Sequence, residues 1–188
     1  MLIKALFTAA GLCLAATSAN AVTFSGTFSG ANENPANGSP ATGFGTLFLV
    51  NPTTIKVNIG YSGLQTGLVG AHIHCCTAAP GNIGVAMNLA FVGGSMSGTI
   101  VNTIDLTQAS SFRPAFIAGN GGTVVSARAA FLTGLAADRS YFNLHTSGRP
   151  GGEIRANLAV PEPASWAMLV VGFGLVGGAV RRRSAVFA

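Results

Sequence analysis

Hydrophobic and small polar residues alternate along most of this chain, and the alternation changes character only once. Phe24-Ser25-Gly26-Thr27-Phe28 has the period of two expected of a half-buried strand. A loop dense in Asn, Pro, Gly and Ser runs from Gly30 to Thr42. Gly45 to Val50 and Thr54 to Tyr61 are β-prone runs that fold back around Asn51-Pro52. Gly63 to Gly70 reads as a connection and Ala71 to Cys75 as a short strand. Pro80-Gly81-Asn82 breaks the chain before strands at Val85 to Val92 and Ser97 to Leu106. The spacing then turns helical, over Ser110 to Ala118 and more clearly over Thr123 to Leu135. Val124, Ala127, Phe131 and Leu135 fall on one side, and Asn120-Gly121-Gly122 separates the two stretches. Tyr141 to His145 and Glu153 to Leu158 close the pattern as strands joined through Ser147 to Gly152. Short strands at regular spacing predict a mainly all-β fold, an antiparallel Greek-key β-sandwich of the immunoglobulin or Cu/Zn superoxide dismutase kind. A helical insertion precedes its last hairpin.

The two ends break this pattern. In residues 1–21, Lys4 is followed by an apolar stretch from Ala5 to Ala16 and by Ala19-Asn20-Ala21, a small-x-small cleavage site. This is the layout of a Sec signal peptide, so the Sec translocon and signal peptidase are expected partners and Val22 the first mature residue. Cys13 is no lipidation site, because Leu12 stands where a small residue is needed. At the other end, Pro161-Glu162-Pro163 and Trp166 lead into an apolar run from Ala167 to Val180, closed by Arg181, Arg182 and Arg183. An apolar segment ending in cations halts in the inner membrane with the arginines on the cytoplasmic side. The run is shorter than the ~20 residues of a comfortable span, which suits transient anchoring better than a permanent anchor. Residues 160–188 resemble the PEP-CTERM sorting signal of exopolysaccharide-producing Gram-negative bacteria. That resemblance implies cleavage by an exosortase and delivery to the cell surface or the extracellular space.

Removing the ends changes the charge picture. Residues 22–160 carry Lys56, Arg113, Arg128, Arg139, Arg149 and Arg155 against Glu33, Asp105, Asp138 and Glu153, six cations to four anions, whereas the whole chain is +5. The excess basicity belongs largely to the targeting segments. No basic face interleaved with aromatics is left for a nucleic acid.

Candidate chemistry gathers on the three histidines. His72 and His74 are two apart in a strand and so share a face. If the strand bearing His145 pairs nearby, three imidazoles become available to one ion, and imidazole suits Cu or Zn. The alternative is a set of structural histidines tied to Asn143, Thr146, Glu153 or Arg155. Cys75 and Cys76 are adjacent, and an exported chain is not expected to keep them free. A bond between neighbours, an intermolecular bridge and thiolate ligation beside the histidines all remain open. No serine occupies a Gly-x-Ser-x-Gly elbow, Glu33 and Glu153 are the domain's only glutamates, and no glycine pattern forms a phosphate cradle. The reading is therefore non-catalytic.

Four segments in order, Gly30-Ala31-Asn32-Glu33-Asn34-Pro35, Ala71-His72-Ile73-His74, Tyr141-Phe142-Asn143-Leu144-His145-Thr146 and Pro150-Gly151-Gly152-Glu153-Ile154-Arg155, resemble the CHRD domain, named for its occurrence in chordin. The resemblance spans residues 22–159 and implies an extracellular β-rich domain without an established catalytic activity. Ala156 stands where the family often has Gly. The His-x-His strand also resembles the copper-binding strand of Cu/Zn superoxide dismutase, but the chain lacks a fourth histidine and that enzyme's zinc loop. The function expected is a structural or binding role at the cell surface, associated with exopolysaccharide. The alternative is an extracytoplasmic Cu/Zn-binding or redox protein using His72, His74 and His145.

Overall fold

A computed structural model describes residues 22–161 and 170–175. The expected signal peptide, Glu162 and Pro163, the ends of the apolar run, and Arg181, Arg182 and Arg183 lie outside the described residues. Residues 170–175 are helical. Among the described residues no helix is long and apolar enough to cross a membrane.

Eight strands make one antiparallel sheet: β1 (Val22–Ser29), β2 (Thr42–Asn51), β3 (Thr54–Ser62), β4 (Leu68–Cys75), β5 (Val85–Asn88), β6 (Gly98–Asp105), β7 (Ser140–Thr146) and β8 (Arg149–Leu158). Their order across the sheet is β5-β4-β7-β8-β1-β2-β3-β6. The sheet curls until its two edges meet. The Asn102 side chain on β6 accepts from the Ala90 N–H (2.8 Å) and donates to the Ala90 carbonyl (3.0 Å), just beyond β5. This contact joins the two edges at one point. The fold is all-β and sandwich-like, as the alternating pattern predicts. Helices α1 (Pro114–Gly119) and α2 (Val124–Ala136) fill the insertion before the β7–β8 hairpin.

The core lies inside the curl. Phe24 and Phe28 of β1, Leu47 of β2, Ile55, Val57 and Ile59 of β3, and Phe142 and Leu144 of β7 are all buried. Phe28 stacks on Phe142 across the interior with ring centroids 6.0 Å apart. Helix α2 buries Ala127, Phe131 and Leu135, the side that helical spacing picks out. Its first turn is closed by a capping box, Thr123 accepting from the Ser126 N–H while the Ser126 hydroxyl accepts from the Thr123 N–H.

Several boundaries differ from the sequence expectation, and four of them have a clear local reason. β4 begins at Leu68, not Ala71, because a register shift between Leu68 and Gly70 lets the glycine sit inside a strand. β5 stops at Asn88, not Val92, because Asn102 takes both backbone groups of Ala90. α1 starts at Pro114, not Ser110, since proline at the first helical position fixes the entry and residues Ala109–Ser111 form a separate 3-10 turn. β8 begins at Arg149, which pairs with Thr146 across the tight turn Ser147-Gly148. The Pro-Gly-Gly stretch is absorbed as an irregularity within the strand.

Candidate metal centre

β7 lies between β4 and β8 and is buried on both sides. Phe142 and Leu144 face the core, while Tyr141, Asn143 and His145 face the opposite way. Register places Tyr141 opposite His74, Asn143 opposite His72 and His145 opposite Gly70. The three histidines are therefore neighbours on the sheet face away from the core. Their ring centroids lie 4.7 Å (His72–His145), 5.9 Å (His72–His74) and 6.3 Å (His74–His145) apart.

Two of the rings are held by backbone carbonyls. His74 Nδ1 donates to the Ile83 oxygen at 2.7 Å, and His145 Nδ1 donates to the Pro150 oxygen at 2.9 Å. A carbonyl can only accept, so the proton sits on Nδ1 and each Nε2 keeps its lone pair. Those Nε2 atoms, together with His72 Nδ1, are buried without a hydrogen-bond partner. One ligand nitrogen from each of the three histidines lies within 4.8 Å of the others, and among the described residues they form the group able to hold an ion. Burial also keeps the rings neutral. It is the largest cause pulling both His72 and His74 down to about 4, with the neighbouring histidines adding to it, and it lowers His145 against the pull of the Pro150 carbonyl. A tetrahedral ion bound at about 2.0–2.1 Å holds its donors roughly 3.4 Å apart, so ligation needs the rings to draw together slightly. The donor set fits Cu or Zn: three neutral imidazoles, two of them oriented by outer carbonyls, with one coordination position left open.

Behind the histidines stands a second polar layer that sequence reasoning did not assemble. Tyr141 stacks on His74 (4.6 Å, 5° between planes), and the Arg155 guanidinium lies 3.5 Å over the Tyr141 ring. Arg155 is fully buried and donates to Asn157 (2.9 Å), to the Pro80 carbonyl and to Asn82 (both 3.3 Å). Glu33 comes in from the first loop, and Asn143 donates to it at 3.3 Å. Burial pushes Glu33 up to about 7, against the Asn143 amide and the Arg155 charge. Gly152, at φ +130°, leaves room for this pair, since a Cβ there would meet both Asn143 and Glu33. Glu153 has its own partners: Thr146 (2.6 Å), Ser39 (2.7 Å) and the Gln65 N–H (2.8 Å). Burial raises its pKa, but these donors outweigh that and hold it below the usual carboxylate value. Asn143, Thr146, Glu153 and Arg155 are thus engaged with one another's surroundings, and the histidine nitrogens do not depend on them.

The sulfurs of Cys75 and Cys76 are joined to each other and pack against Gly134 of α2. Of the sorting residues, Pro161 is described, just beyond the sheet.

All four motif segments thus converge on this one face of the sheet. Family models match accordingly: the CHRD domain over residues 24–158 and the PEP-CTERM protein-sorting motif over residues 159–183. No curated protein and no solved structure matches the chain.

Proposed function

The chain belongs to the CHRD-domain family and carries the PEP-CTERM motif by which an exosortase sorts an exported protein, and from there we propose that its domain is a surface module binding one Cu or Zn ion through His72, His74 and His145. Two observations support this reading: one nitrogen from each histidine lies within 4.8 Å of the others, and each ring has a buried nitrogen without a hydrogen-bond partner. Leaving such groups unpaired costs about 1–3 kcal/mol each, and one ion relieves all three. The test is metal analysis of the exported form after loading with Cu²⁺ or Zn²⁺. One ion per chain is expected, with a raised melting temperature, and His74→Ala and His145→Ala should each abolish retention. A wild-type protein that keeps no ion and melts unchanged would end this reading.

Association with exopolysaccharide is the second reading, favoured by the sorting motif and by the weak charge of the domain. In this reading Sec and signal peptidase deliver a chain starting at Val22, and the tail anchors it only until an exosortase acts. A strain lacking the polysaccharide should release the protein from its surface; normal retention there would count against the idea.

A further inference from the structure

Two cavities flank edge strand β5 and share Val85 and Arg113. One, of about 500 Å³, runs from the Cys75–Cys76 disulfide along Ile83 and Val85 to Phe116 and Asn120 of the α1 end. The other, of about 460 Å³, continues past Asn88 and Phe91 to His72. Together they form an elongated trough, each half within the ~300–1,000 Å³ of small-ligand sites.

The chemistry of the trough is one-sided. Its walls include a disulfide, aliphatic groups and two phenylalanine side chains, surfaces that suit the C–H face of a sugar ring, interleaved with the polar side chains of His72, Asn88 and Asn120. In the metal-free protein its charge is Arg113 alone, because no carboxylate lines either half among the described residues; an ion held by His72 adds a second cation at the far end. Arg113 is exposed, yet its backbone is fixed: it precedes Pro114 at the start of α1, and its N–H donates to the Ala86 carbonyl of β5 at 2.8 Å. The backbone from which this cation extends is thereby fixed where the two halves meet. Asn120 donates to the Phe116 carbonyl at 2.8 Å, which keeps its side-chain oxygen as an acceptor for a hydroxyl.

We propose that this trough binds a stretch of acidic polysaccharide, with a uronic-acid carboxylate on Arg113 and neighbouring sugar rings against the disulfide and Phe116. A planar guanidinium matches a carboxylate with two parallel hydrogen bonds. The proposal rests on the exopolysaccharide reading and names the site and the charge of the polymer.

The test uses the exported protein recovered from producing cells. Binding of a hexameric oligogalacturonate is measured by calorimetry beside that of a neutral hexamer, cellohexaose. The acidic oligomer should bind, weaken with added salt, and lose about tenfold or more in affinity with Arg113→Ala. Lys56→Ala, an exposed cation on β3, should leave binding unchanged. Equal affinity for the two oligomers, no binding of either, or an Arg113→Ala protein that binds as wild type each overturns the proposal. Co-sedimentation with the cells' own polysaccharide separates the two failures. If Arg113→Ala protein still sediments with the matrix, the trough assignment falls and association stands; if wild-type protein does not sediment, both fall.

Discussion

His74 Nδ1 lies 2.7 Å from the carbonyl oxygen of Ile83, a residue in the loop between β4 and β5. This bond sets the tautomer and leaves Nε2 its lone pair, buried without a hydrogen-bond partner. The loop itself is tied down through Asn82, which donates to the Asn34 carbonyl at 2.6 Å and accepts from Arg155 at 3.3 Å. Asn82 is exposed and outside the core, so Asn82→Ala should cost only about 1 kcal/mol in stability. Outer groups that orient a ligand typically change metal affinity 10–100-fold. Competitive titration with a chromogenic chelator should therefore show roughly tenfold weaker metal binding in Asn82→Ala, with urea unfolding barely shifted.

Arg155 supports the same ring from the other side. It clamps Tyr141 against His74 while holding Pro80 and Asn82. Lysine carries the charge but not the planar fork, so it can neither stack nor reach these acceptors together. Arg155→Lys should destabilise the domain by about 2 kcal/mol, and Arg155→Ala by about 3–5 kcal/mol, because the buried acceptors on Asn157, Pro80 and Asn82 lose their donor and the space over the Tyr141 ring is emptied. Denaturant midpoints of the two variants measure the order.

Much of this architecture is legible in the residues. Alternation at Phe24–Phe28 and Thr54–Tyr61 finds strands, helical spacing finds the buried side of α2, and the His-x-His step puts two rings on one face. What cannot be read is whatever depends on backbone. The acceptors for His74 and His145 are the carbonyls of Ile83 and Pro150, and a carbonyl belongs to every residue alike. Register irregularities hide in the same way: Gly70 and Pro150-Gly151-Gly152 look like breakers yet lie within strands. Glu33 and Asn143 are 110 positions apart, and only the fold brings them together.

Glu33 gives the domain a pH dependence of definite sign. Its carboxyl is raised from 4.5 to about 7 by burial, so between those values the folded state holds a proton that the unfolded state has lost. The resulting stability is complete below about pH 4.5 and disappears as pH rises through 7. The proton also supplies a donor where Glu33 Oε1 and Asn143 Oδ1 are both buried without one. Glu33→Gln carries a permanent amide donor at that position. The stability of this variant relative to wild type should rise from pH 5 to pH 8, measured by urea unfolding of metal-free protein at each pH. A difference that stays flat would mean that Glu33 is ionised in the fold throughout.

Gly134 sits where α2 crosses the end of β4, and a Cβ built there meets the sulfurs of both Cys75 and Cys76. Alanine normally favours a helix over glycine by about 1 kcal/mol. Here that gain is opposed by overpacking against two linked sulfurs, which typically costs about 1–3 kcal/mol, and the linked pair cannot swing aside as a long side chain would. Gly134→Ala should therefore be net destabilising. Gly119, at the end of α1, has open space around its added Cβ, so Gly119→Ala serves as the control and should be neutral or slightly stabilising. If sulfur contact is the cause, the penalty at Gly134 must shrink when the sulfurs are removed. A double-mutant cycle with Cys75→Ala/Cys76→Ala measures that coupling: Gly134→Ala in the sulfur-free background should approach the behaviour of Gly119→Ala. An undiminished penalty would place the strain in the helix itself, not in its seat on the disulfide.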